Sequence, residues 1–235
     1  MLTLRKADDR FHSKINWLDS WHSFSFGEHY DERFMGFGPL RVINEDRVRG
    51  GAGFPTHGHR DMEIITVVLS GALQHKDNTG GGSIIKPYDV QKMSAGSGIL
   101  HSEFNSSAKE EVHLLQIWII PSVTGVTPGY VQLSFKPEQM RDQFCLVAAP
   151  DGKDGVIPIH QDAKLFIADL SAGKSLDYTT DKTRILWAQI ALGEAAANGT
   201  NLKAGDGLAG AGEQKLSFTA KTDSKILLFD MGAKT

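Results

Sequence analysis

The chain has 235 residues, a formal net charge of −3, 40% hydrophobic and 23% charged residues. That balance excludes a disordered chain, which needs lower hydrophobicity and more net charge, and it leaves no basic footprint for nucleic acid. A lone cysteine, Cys145, excludes an intramolecular disulfide and a cysteine-built zinc site, and no apolar run approaches the roughly 20 residues of a membrane span.

The opening residues, Met1 to Lys14, lack the apolar core of a secretory signal, so the expected setting is a reducing cytoplasm. Trp17, Trp21, His22, Phe24 and Phe26 read as packing of an N-terminal segment. Short apolar runs then follow at 40–43, 64–69, 112–120, 144–148, 165–170, 185–192 and 225–230. They are rich in Ile, Val, Leu and aromatics and are bounded by Gly, Pro, Asn or Asp, which predicts strands. Only 137–143 suggests a helical turn or two. The 25 glycines exceed the roughly 16 of average usage and occur in pairs and triplets, which implies many tight turns. An all-β sandwich or barrel is expected. Val68–Gly71 with Ser94–Gly98, and Ile190–Gly193 with Lys203–Gly207, suggest a coarse repeat: two barrels joined through the Pro- and Gly-containing stretch 121–142.

With thiols nearly absent, a metal site has to come from histidines and carboxylates. Two segments qualify: Gly51 to Glu63, containing His57-x-His59, and Gly96 to Asn105, containing His101-x-Glu103. Residues at i and i+2 share one face of a strand, so two adjacent strands can bring three imidazoles and a carboxylate to one point. That donor set suits a divalent first-row transition metal with a position left open. Glu63 shares the parity of His57 and His59. It offers either a fifth ligand or, the favoured reading, a hydrogen bond that holds a ligand histidine. Asp61 ranks below it. His113 lies in a strand and ranks low as a further ligand, and His12, His29, His75 and His160 read as surface or turn residues. Gly205 to Gly210 fits G-x-G-x-x-G but leads into a strand, and Gly173-Lys174-Ser175 lacks the first glycine of a P-loop, so neither predicts a phosphate site. The two Asn-x-Ser/Thr sequons carry meaning only in a secreted chain.

These residues resemble the cupin motifs: Gly51, His57-x-His59, Glu63 and Gly71, then Gly98-x-x-His101-x-x-x-Asn105. Trp17 to Phe26, Leu40 to Asn44, His57 to Glu63 and Ser94 to Glu103 are similar, more specifically, to the pirin family, above all to its bacterial quercetin-dioxygenase-like members. The resemblance runs over essentially the whole chain and is strongest in residues 1–120. It implies a bicupin, two antiparallel β-barrels of the jelly-roll type facing each other. Residues 1–130 would form the metal-bearing barrel and 131–235 a degenerate, metal-free one. The ligands it implies are His57, His59, His101 and Glu103. Most cupins take the carboxylate from the first motif, whereas the pirin pattern takes it from the second. This chain has a glutamate in both places, and Gly96 stands where the second motif usually has proline. The resemblance further implies Fe(II), with Mn, Ni, Cu, Co or Zn as alternatives. The implied activity is 2,3-dioxygenation of flavonols such as quercetin with O2 and release of carbon monoxide, with Glu103 as ligand and catalytic base. Phe54, Met35, Phe37 and Phe104 are candidates for the substrate lining. The competing readings are a metal-dependent, redox-responsive regulatory protein with a protein partner, and a dioxygenase for another small aromatic compound. A monomer is expected, with no direct contact to nucleic acid or membrane.

Overall fold

The computed structural model describes residues 1–233. In chain order the first strands are β1 (Leu2–Arg5), β2 (Phe11–Lys14), β3 (Leu18–His22), β4 (Leu40–Val48), β5 (Gly53–His59) and β6 (Glu63–Ser70). Next come β7 (Leu73–Asp77), β8 (Gly82–Ile85), β9 (Asp89–Ser94), β10 (Ile99–Asn105), β11 (Val112–Ile119) and β12 (Gly129–Ser134). A single helical turn, α1 (Pro137–Met140), falls in the stretch where a turn or two is predicted. The second half contains β13 (Cys145–Ala149), β14 (Ile157–Pro158), β15 (Ala163–Leu170), β16 (Ser175–Thr179) and β17 (Arg184–Leu192). It ends with β18 (Glu194–Ala197), β19 (Thr200–Lys203), β20 (Gly207–Ala211), β21 (Lys215–Ala220) and β22 (Ser224–Gly232). Among the described residues, no helix is long and apolar enough to cross a membrane.

The strands form two barrels, each a seven-stranded sheet closed by a four-stranded one. The large sheets run β12-β9-β6-β11-β4-β3-β2 and β1-β20-β17-β22-β15-β13-β14; the small ones run β5-β10-β7-β8 and β16-β21-β18-β19. The coarse repeat is therefore a repeat of topology: β9-β6-β11-β4 in one barrel matches β20-β17-β22-β15 in the other. The flanking strands are exchanged. β12 completes the first sheet beside β9, while β1 crosses over to complete the second beside β20. A division between residues 130 and 131 would fall inside β12, and β1 lies in the second barrel.

The central strands are apolar on both faces, and the packing explains why. Ile65, Val67 and Leu69 of β6 share one core with Leu227, Phe229 and Met231 of β22, so the two large sheets face each other. The alternate residues point the other way. Val68 packs inside the first barrel and Ile226 and Leu228 inside the second. Strands buried on both sides lose the polar–apolar alternation of a half-exposed strand and read as continuous apolar runs. In the second barrel β16 and β21, which correspond to β5 and β10, send Leu176, Tyr178, Leu216 and Phe218 into the apolar core.

Candidate metal centre

β5 and β10 pair antiparallel with His101 directly opposite His57. The loop that delivers β10 turns at Gly96, whose φ is +44°; a Cβ there would run into the Val126 carbonyl. The strand faces bring His57, His59 and His101 together, each offering a nitrogen within 4.8 Å of the others. A second set, His75, His101 and Glu103, satisfies the same limit. Glu103 thus approaches the cluster through His101. It is buried, and its Oε2 accepts a 2.9 Å hydrogen bond from Gln116 Nε2. Burial pushes its carboxyl up to about 7 against that hydrogen bond.

The hydrogen bonds fix which nitrogens are free. His57 Nδ1 donates to the Pro55 carbonyl at 2.8 Å, which turns its Nε2 toward the other rings. Asp77 Oδ2 accepts from His75 Nε2 at 3.0 Å, so His75 Nδ1 is the acceptor for His101 Nδ1–H at 3.4 Å. His101 Nε2 is then unprotonated, and it faces His57 Nε2 at 3.0 Å. Two imidazole nitrogens at that distance can both ligate one cation, so the donor set fits a metal ion. Burial, with the neighbouring imidazoles, pushes His59 down to about 4 and His101 to about 3. His59 and His101 are therefore neutral, the form that binds metal.

The cluster lies in the wall of a cavity of about 330 Å3. Phe26, Phe54, Trp118, Leu18 and Ile64 supply apolar surface, and His59 meets Trp118 edge-to-face at 4.9 Å. A polar wall completes it. Asn44 Oδ1 accepts from His22 Nδ1 at 2.8 Å, and Ser13 Oγ joins His22 Nε2 at 2.9 Å to His29 Nε2 at 3.0 Å.

Several expectations need correction. His75 is not a surface residue: it is fully buried, between His101 and Asp77 and stacked on Tyr130. Its signal was available, since His75-x-Asp77 repeats the i, i+2 spacing of the other two pairs. His22 does pack on Phe26, yet it also lines the cavity, as does half-buried His29. Glu63 is not brought to the histidines. Its carboxylate meets Lys92 Nζ at 3.4 Å and His160 Nδ1 at 3.2 Å. Asp61 accepts from the Gly125 amide instead. His113 is tied to Glu45 at 2.9 Å. Of the proposed apolar lining only Phe54 faces the cavity. Met35 and Phe104 are exposed, and Phe37 packs against the core between the barrels.

Known proteins resemble this chain along nearly its whole length. Residues 4–119 match the family model for pirin, and residues 146–231 match that for the quercetinase C-terminal cupin domain. A quercetin 2,3-dioxygenase of Escherichia coli K12 is 45% identical over 231 residues, covering 98% of this chain and 99% of that protein. The crystal structure of YhhW from Escherichia coli superposes with a TM-score of 0.94 at 44% identity, covering 98% of this chain and 97% of that one. The same bacterial pirin in complex with nickel(II) gives a TM-score of 0.93 at 44% identity, covering 99% of each chain. With both barrels matched along almost their whole length, the chain belongs to the pirin family.

Proposed function

We propose that this pirin is a metal-dependent dioxygenase of flavonols such as quercetin. His57, His59, His101 and Glu103 would hold the ion, Fe(II) first among Fe, Mn, Ni, Cu, Co and Zn. The observation that carries the reading is the pair of Nε2 atoms of His57 and His101, 3.0 Å apart in the wall of an apolar cavity. The nickel(II) complex of the Escherichia coli relative, and the name quercetin 2,3-dioxygenase given to a relative there, support it. The bound ion supplies Lewis acidity and a path for electrons to O2.

The chain supplies the rest. The cavity, about 330 Å3, sits at the small end of the usual ligand range of roughly 300–1,000 Å3 and suits a flat molecule of about three rings. Phe26, Phe54 and Trp118 exclude water and hold an aromatic plane. Glu103, oriented by Gln116, accepts the proton of the flavonol 3-hydroxyl. His75 and Asp77 hold His101 in the tautomer that presents Nε2. Both atoms of O2 enter the ring-opened ester, and the carbon that bore the hydroxyl leaves as carbon monoxide.

Protein loaded in turn with each of the six metals should, with at least one, bleach quercetin and release one carbon monoxide per flavonol consumed. Full metal loading with no turnover for any of them would overturn the enzyme reading and favour a metal-dependent binding protein. His101→Ala should abolish metal retention while His160→Ala leaves it intact; equal retention would reject the site.

A further inference from the structure

We propose that a second cavity, lined by Arg5 between the two barrels, binds a small aromatic carboxylate. The cavity is about 190 Å3 and lies where β1 meets the segment 24–37. It shares no lining residue with the histidine cavity.

Arg5 is only 7% exposed. Its Nε donates to the Ser23 carbonyl at 3.1 Å, its Nη2 is buried without a hydrogen-bond partner, and among the described residues its guanidinium has no carboxylate partner. Lys92, the other buried cation among the described residues, is neutralised by Glu63, and the partly buried Arg10 and Arg184 are paired with Glu45 and Asp230. The second guanidinium at this cavity, Arg33, is already engaged by Asp31 in a two-pronged pair at 3.0 and 2.6 Å. Asp9 and Asp31 attract Arg5 only from beyond ion-pair distance, so its guanidinium has no direct counter-charge, and a buried charge without one is costly.

The surroundings define what would neutralise it. Phe34 lies 3.7 Å from the guanidinium carbon and covers one face of the plane. The guanidinium's remaining N–H groups suit a carboxylate, which takes charge-assisted hydrogen bonds in that plane. Phe24, Phe37 and Trp187 line the rest, so the body of the ligand should be flat and apolar. A volume below the roughly 300 Å3 of ordinary ligand sites admits one ring, and it excludes the three-ring molecule proposed for the larger cavity.

Benzoate is the probe for the test, with benzyl alcohol as the ring without the charge, acetate as the charge without the ring, and inorganic phosphate as a generic anion. Calorimetric titration of the metal-loaded full chain should show benzoate binding at least about tenfold more tightly than the other three. Arg5→Gln removes the charge. Thr3→Phe leaves Arg5 in place and blocks the cavity from an exposed position on β1. Each should weaken benzoate binding at least about tenfold without changing metal content. Benzyl alcohol or phosphate binding as tightly as benzoate would overturn the proposal. So would benzoate binding that survives both variants, or that disappears only with His101→Ala. The result does not depend on whether the larger cavity turns over a flavonol.

Discussion

His75 is the residue whose removal separates holding a metal from building the barrel. Among the three clustered histidines it touches only His101, so His75→Ala leaves His57, His59 and His101 in place but frees the His101 tautomer. Loss of such a supporting partner typically weakens metal binding by about 10–100-fold. Competition with a chromogenic chelator should show that loss, with His12→Ala, on the outer face of β2, as the unchanged control. Another residue-scale expectation concerns acid. Burial raises the Glu45 carboxyl, but the hydrogen bond from His113 and the charge of Arg10 prevail and hold it down to about 2. A depressed carboxylate stabilises the fold above its unfolded value near 4.5 and loses that contribution as pH falls toward 2. Urea titrations should therefore show Glu45→Gln less stable than the parent at pH 7, with the gap closing between pH 4.5 and 2; a constant gap would contradict the pairing. The i, i+2 spacing made the cluster of His57, His59 and His101 legible in the sequence, with Glu103 grouped beside His101. His75 was hidden because its role depends on a cross-strand neighbour: Glu103 of β10 stands opposite it in the ladder. Arg5 was hidden for the same kind of reason, since only tertiary packing reveals a charge left without a partner.

Among the elements, legibility followed burial on two faces. β6, β11, β15, β17 and β22 announce themselves as apolar runs because each is pressed between a barrel interior and the core between the barrels. Strands in the small sheets give much weaker signals. β18 reads Glu-Ala-Ala-Ala, a helix-favouring composition, and is a strand only because β19 and β21 pair with it on either side. β5 is half exposed and begins at Gly53, where a Cβ would strike the Glu103 carbonyl. The turn into β10 is more exacting still. Gly96→Ala places a Cβ at a left-handed φ and against the Val126 carbonyl, so chemical denaturation should register a loss of about 1–3 kcal/mol. Metal retention should fall with it, because that turn sets where His101 lies relative to His57.

For the molecule as a whole, the core shared between the sheets makes the barrels interdependent. Phe24, Leu40 and Ile65 from the first half pack in the same cluster as Trp187, Leu227 and Phe229 from the second. Calorimetry of the full chain should show one cooperative transition, and a fragment ending at residue 130, stripped of β20 and of most of β12, should be aggregated or unfolded by size exclusion and circular dichroism. Two well-separated transitions would show that the barrels melt independently. The two-barrel plan was legible from the repeat and the family motifs. The exchange of β1 was not, because four residues carry no record of a partner far along the chain. That exchange has a cost in time. Leu2 pairs with Gly210, so on a ribosome adding roughly 5–20 residues per second the first strand waits on the order of 10–40 s for its neighbour. Through that interval the N-terminal segment has no partner strand. Rapid synthesis, or a chaperone that shields an open strand, should therefore raise the yield of this protein more than its equilibrium stability would suggest.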